Sequence, residues 1–366
     1  MREIPPQLTP QLARHVGKQT VAKAPPYRVS TFRDLMSHVS RLAYANKDHL
    51  LFFRGQDRDY LNKARASTVY PSIYRGETVT RTQLDIRFDV LTSASRRLCD
   101  ALAREQITGH QEVRKRRYIQ WSILQHYQVC PTPLLDLTQS LRVAASFAHL
   151  FSSNKRPLVL VFAVPYLPNR VSVNSEYDSV VVRLLSICPP EALRPYFQDG
   201  YLAGTDEITN DYPDKSELDF NRVLIAKFIL PEPSRFWGSG FTSLPENALF
   251  PDADKVAKIC RQLRREVGSE PDPGRLGQLL QAWTDLENDI MTLARHRKPR
   301  VFSFREALSV LRRSELLTPS FMAAVDGLRN FRNRAVHQPR AITVEELGTA
   351  LSELDLLQLR LQKLGR

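Results

Sequence analysis

Cysteine is scarce. The chain of 366 residues has four, Cys99, Cys130, Cys188 and Cys260, and none forms a Cys-x-x-Cys pair. This spacing offers neither a zinc site nor a disulfide framework, so it predicts reduced thiols, a cytoplasmic location and no metal. Long apolar runs are also missing. The longest, Leu158 to Pro165 and Val223 to Pro231, fall far short of the roughly 20 residues that cross a bilayer, and the opening MREIPPQLTP lacks the apolar segment of an export signal. No membrane partner is expected. Acid is in deficit, with 39 Asp plus Glu against 52 Lys plus Arg and a net charge of +13. Arginine supplies most of the excess, and its planar fork binds phosphate through paired hydrogen bonds, so nucleic acid, RNA foremost, or a dinucleotide is the expected partner.

What remains is an ordinary foldable composition, 42% hydrophobic and 25% charged, long enough for two or three domains. Residues 1–29 carry five prolines without a sustained apolar period and read as an arm. Ser30 or Thr31 can cap a helix whose Leu35, Val39 and Leu42 recur at helical spacing, and His49 to Gln56 reads as a buried strand. Helices follow over 81–104 and 112–127, then a strand ending at Thr138, a helix over 141–151 and a strand over 157–164. A further helix is expected over 179–187, and Val223 to Leu230 is the last strand of an α+β domain spanning 30–262. The stretch GSEPDPG at 268–274 punctuates the chain, and only helical patterns follow, so 268–366 is expected to be an all-α bundle.

The motifs Phe53-Arg54-Gly55-Gln56, Pro71-Ser72-Ile73-Tyr74-Arg75, Gln125-His126-Tyr127, the block from Pro131 to Thr138, and Ala144-Ala145-x-Phe147-Ala148 occur in the order found in FRG domains. Residues 30–262 resemble that bacterial family. The chain departs from its pattern at Gln128, where Gly is expected, and at Pro133, where Arg is expected.

The family is similar in layout to ADP-ribosyltransferases, and the resemblance implies NAD as co-substrate. Arg54 would hold the diphosphate with Gln56 nearby, and Thr138 and Ser140, at the strand-to-helix turn, would meet the nicotinamide-side ribose. The late polar residue would be Gln198 or Glu207, a choice the sequence leaves open. The same residues have architectural readings: Arg54 can pair with Asp136, and Thr138 and Ser140 can cap the next helix.

The C-terminal region contains Arg332-Asn333-Arg334-Ala335-Val336-His337 in a helix that must end before Pro339. At about 100° per residue Asn333 and His337 share a helix face, with Arg332 on its flank. This motif resembles that of HEPN domains, helical bundles found in toxins and defence proteins. The resemblance implies metal-independent RNA cleavage by Arg332, Asn333 and His337 across a homodimer, or a non-catalytic bundle that retains the motif.

Three functions therefore stand as expectations. The first is a defence or toxin-type effector that transfers ADP-ribose from NAD to nucleic acid or protein, with an antitoxin or regulatory protein as a further partner. The second is a ribonuclease with the FRG domain as sensor. The third is a non-enzymatic module that binds RNA or a protein partner.

Overall fold

The computed structural model describes residues 1–76, 81–152, 156–166, 169–205, 214–267, 273–337 and 342–364. The chain divides into two compact units: one comprises 1–76 and 91–263, the other 77–90 and 264–366.

The first unit is built on a sheet of eight strands: β1 (Tyr27–Arg28), β2 (His49–Gln56), β3 (Leu135–Thr138), β4 (Leu158–Pro165), β5 (Val171–Asn174), β6 (Ser179–Arg183), β7 (Gly200–Thr205) and β8 (Leu224–Ile229). Their order is β1-β8-β4-β2-β3-β7-β6-β5, with β1 parallel to β8 and every other neighbour antiparallel. The unbroken apolar sequence of β4 reflects its central place, since all eight of its residues are buried.

β2 is in full register with β4 from His49↔Pro165 to Gln56↔Leu158, but it meets β3 only at Phe53↔Thr138. The sheet therefore opens between β2 and β3 immediately after Phe53. The next residue is Arg54.

The glycine of the tetrapeptide has a packing reason. A Cβ on Gly55 would lie 1.9 Å from the Ala144 carbonyl oxygen and 2.7 Å from the Ala148 nitrogen, so the helix Leu141–Leu150 rests its backbone directly on β2. The alanines Ala144, Ala145 and Ala148, all buried, permit this approach.

Three expectations require correction. Residues 1–29 are no arm: Ile4, Leu12, Val21 and Val29 are buried in the first core, Pro10–Val16 is a helix, and β1 extends the sheet. The apolar segment expected as a helix over 179–187 is strand β6 followed by a short 3-10 turn, Leu184–Ser186. Its Val180-Val181-Val182 run is β-branched and pairs on both sides, with β5 and β7. The region expected as one helix over 112–127 is two, His110–Lys115 and Arg117–His126, parted by the extended backbone of Arg116.

The second unit is helical: Pro273–Arg297, Phe304–Arg313, Pro319–His337 and Val344–Leu364. Trp283, Leu286 and Ile290 form its centre with Leu311, Val325 and Leu354, and Ile86 joins the same cluster. Residues 77–90 therefore count with this unit, although they precede the expected boundary by about 180 residues of chain. Thr82 bonds to Asp355 and Arg275 pairs with Asp89 in the same unit.

Candidate functional site

Four of the motif segments converge where β2 and β3 separate. Arg54 extends from the exit of β2 and donates Nη1–H to the backbone carbonyl of Asp136 at 2.6 Å. That contact fills the gap left where the two strands stop pairing. The Asp136 side chain turns to the helix Arg117–His126: Gln125 Nε2 donates to Oδ2 at 2.7 Å, and His126 Nδ1 stands 3.4 Å from Oδ1.

Gln125 also closes the ring toward the Pro71–Arg75 segment, because its Oε1 accepts from Ser72 Oγ at 3.1 Å and from Thr132 Oγ1. Ser72 Oγ in turn accepts from the Thr132 nitrogen at 2.8 Å. Arg75, at the end of that segment, donates Nε–H to the Tyr70 carbonyl at 3.0 Å and lies in the field of Asp136.

Arg54 and Arg75 both lie in the electrostatic field of the Asp136 carboxylate. Burial lowers the Arg54 guanidinium to about 10, against the opposing pull of Asp136. Burial likewise lowers Arg75. For Asp136 burial pushes the carboxyl up, but His126, Arg54 and Gln125 together outweigh it and hold the group below the usual carboxylate range. Arg54 Nε is buried and has no hydrogen-bond partner, and neither has His126 Nε2. The His126 ring fits beside β7, where a Cβ on Gly200 would come within 3.3 Å of its Cε1.

The hydroxyls expected at the ribose are engaged elsewhere. Thr138 Oγ1 donates to the Gln198 carbonyl at 2.9 Å and accepts from the Ser140 nitrogen at 3.0 Å. Ser140 caps the helix Leu141–Leu150 by accepting from the Val143 nitrogen at 3.3 Å. Gln198 is buried, and its amide donates to the Leu249 carbonyl at 2.8 Å. Gln56 is half-buried at the last position of β2, opposite Leu158. Glu207 lies outside the described residues. Arg54 and Asp136 are thus brought together as one local site, while Thr138, Ser140 and Gln198 tie β3 to the elements behind it.

Gln128, where the family pattern has Gly, takes φ +54°, the left-handed region in which glycine is unstrained. The adjacent Tyr127 donates its hydroxyl to Asp254 at 2.6 Å, and burial with this contact pushes that hydroxyl far above its ordinary value. The fully buried Asp254 also accepts from the nitrogens of Leu193, Arg194 and Ala257. Its importance has no sequence signal, since these partners are distant in the chain.

In the second unit Arg332 and Asn333 are half-buried and bonded to each other, Nη1 to Oδ1, at 2.9 Å. The Arg332 guanidinium lies 5.7 Å from the Trp283 ring centroid and 4.0 Å from Glu287 Oε1. His337 is exposed at the last position of its helix. Among the described residues no group of three His, Cys, Asp or Glu side chains is arranged to hold a metal, and no helix is long and apolar enough to cross a membrane.

No curated protein and no solved structure matched the chain. A family model did: the model described as FRG domain covers residues 49–156, from the start of β2 to just beyond the helix Leu141–Leu150. That span holds Arg54, Arg75, Gln125, His126 and Asp136, the whole of the convergent cluster, and the chain therefore carries an FRG domain at these residues.

Proposed function

We propose that the FRG domain binds the diphosphate of NAD at Arg54 and Arg75 and transfers the ADP-ribose group to a nucleic-acid or protein acceptor. The observation that carries this reading is the Nε of Arg54, buried and without a hydrogen-bond partner, with the Arg75 guanidinium in the field of the same carboxylate, Asp136. An anion can accept from that Nε–H, and a diphosphate offers the paired oxygens that a guanidinium fork matches. Asp136, held by Gln125 and His126, fixes Arg54 in place. The transferase step follows from the family resemblance: nicotinamide leaves C1′ of its ribose with the bonding electron pair, an acceptor oxygen or nitrogen bonds to C1′, and the acceptor releases its proton. Thr138 and Ser140 serve this site by building the turn beneath it.

The test is titration calorimetry of the full chain with NAD, alongside label transfer from radioactive NAD to RNA and to protein. Arg54→Lys keeps the charge and loses the fork, so affinity should fall at least about tenfold. Equal NAD binding by wild type and Arg54→Ala, with both folded, would overturn the reading.

A second reading, ribonuclease action by the helical unit, has its own support in exposed His337 on the same helix as the bonded pair Arg332 and Asn333. It pairs two copies of the motif across a homodimer, because one His337 per chain supplies one proton-transfer group and cleavage by a 2′-hydroxyl uses two.

A further inference from the structure

The first unit carries a second cationic feature. A groove of about 640 Å³ runs between the helix Pro10–Val16 and the helix Phe32–Ala45, lined by residues that include Leu8, Pro10, Arg14, Ser40, Arg41 and Tyr44. None of its lining residues is acidic. Tyr44 is 85% exposed, an unusual position for a large aromatic ring, and Leu8 and Pro10 give the groove apolar surface.

Arg41 and Tyr44 are three residues apart on one helix and so share a face, while Arg14 faces them from the other helix. The one acid on the helix Phe32–Ala45, Asp34, is engaged by the Ser30 nitrogen at 2.9 Å and by His38 Nε2 at 3.5 Å. The charge of the surrounding segment has the same sign: residues 1–48 hold eight Lys or Arg against three Asp or Glu.

We propose that this groove binds single-stranded nucleic acid, with an unpaired base stacked on Tyr44 and the backbone phosphates held by Arg14 and Arg41. An exposed ring in a groove also lined by guanidiniums is the combination that single strands require, since every unpaired base has a face to stack and every nucleotide a phosphate to neutralise. A duplex hides its base faces and gains only the charge. The assignment is independent of NAD binding, and its readout does not involve label transfer.

The test is fluorescence anisotropy of the full chain with a labelled oligouridylate of about twelve nucleotides, a length typical of single-strand binding sites. Tyr44→Ala should weaken binding roughly 5- to 100-fold and Tyr44→Phe should retain it, since the ring and not the hydroxyl stacks. Arg14→Ala and Arg41→Ala should each reduce the slope of log affinity against log salt by about 0.7. All three side chains concerned are exposed, and circular dichroism checks that each of the four variants is folded. Undiminished affinity in Tyr44→Ala would overturn the proposal, as would equal binding of a duplex of the same length. Binding to anionic phosphatidylserine vesicles without binding to the oligonucleotide would also overturn it and assign the groove to a membrane surface.

Discussion

In the sheet unit the motif residues lie inside the architecture: Arg54 bridges two diverging strands, Gly55 admits a helix backbone, and Tyr127 anchors Asp254. In the helical unit the core is apolar, from Trp283 to Leu354, and the Arg-Asn-x-x-x-His motif occupies half-buried and exposed positions around it. The difference follows from the way each architecture satisfies its backbone. Helices bond internally, so a bundle needs only an apolar stripe to cohere, and its polar residues are free for other uses. A sheet whose strands part leaves carbonyls to be met by side chains, so polar residues there serve structure and chemistry at once.

The sharpest way to break this contrast is to alter one glycine in each unit. In Gly55→Ala the added methyl meets backbone atoms of Ala144 and Ala148 that cannot turn aside. The expected loss is about 3 kcal/mol, read as a lower urea midpoint. Gly327→Ala, on an exposed position inside the helix Pro319–His337 with nothing within 4 Å of the new methyl, should instead stabilise by roughly 0.5–1 kcal/mol. Equal effects at both positions would mean that the two units tolerate backbone crowding alike.

A smaller effect tests the acid within the FRG site. Asp136 is held below its usual value in the folded chain, so its stabilising share is present above the unfolded pKa of about 4 and is lost as pH falls through the lower folded value. Asp136→Asn should cost about 1–2 kcal/mol at pH 7, discounted for the 37% exposure of the side chain. The gap between variant and wild type should narrow below about pH 4. A gap independent of pH would show that packing, and not charge, is what Asp136 supplies.

The smallest stability effect belongs to His337. Its exposed side chain predicts a change within about 0.5 kcal/mol for His337→Ala. If the bundle cleaves RNA, the same variant should stop RNA shortening on a denaturing gel while its thermal midpoint stays in place. Loss of stability without any change in RNA would make the histidine structural and align the helical unit with the sheet unit.

Much of the architecture is legible in residue order. Thr31 as a cap, the apolar run of β2, the Val and Leu strand β4 and the four C-terminal helices all follow from local periodicity and capping chemistry. The short apolar segments are less so. Val180 to Val182 suits helix or strand until a neighbour is known, and β1, of two residues, exists only because β8 lies beside it. The N-terminal prolines suggest an arm, yet Ile4 and Leu12 are buried by contacts the local pattern does not reveal.

For the site, the sequence by itself determined which residue types were present: an arginine at the exit of a strand, an aspartate and a threonine on another, a glutamine and a histidine at a helix end. Tertiary structure alone decided their partners. Thr138 reaches Gln198 across 60 residues, Tyr127 reaches Asp254 across 127, and Ile86 joins a core whose other members begin at Leu279. Local propensity acts over a few residues, whereas a side chain's charge balance and bonding depend on whichever elements pack against it. For that reason Arg54 could be singled out from its motif, but its unpartnered Nε and its shared carboxylate could be found only in the folded chain.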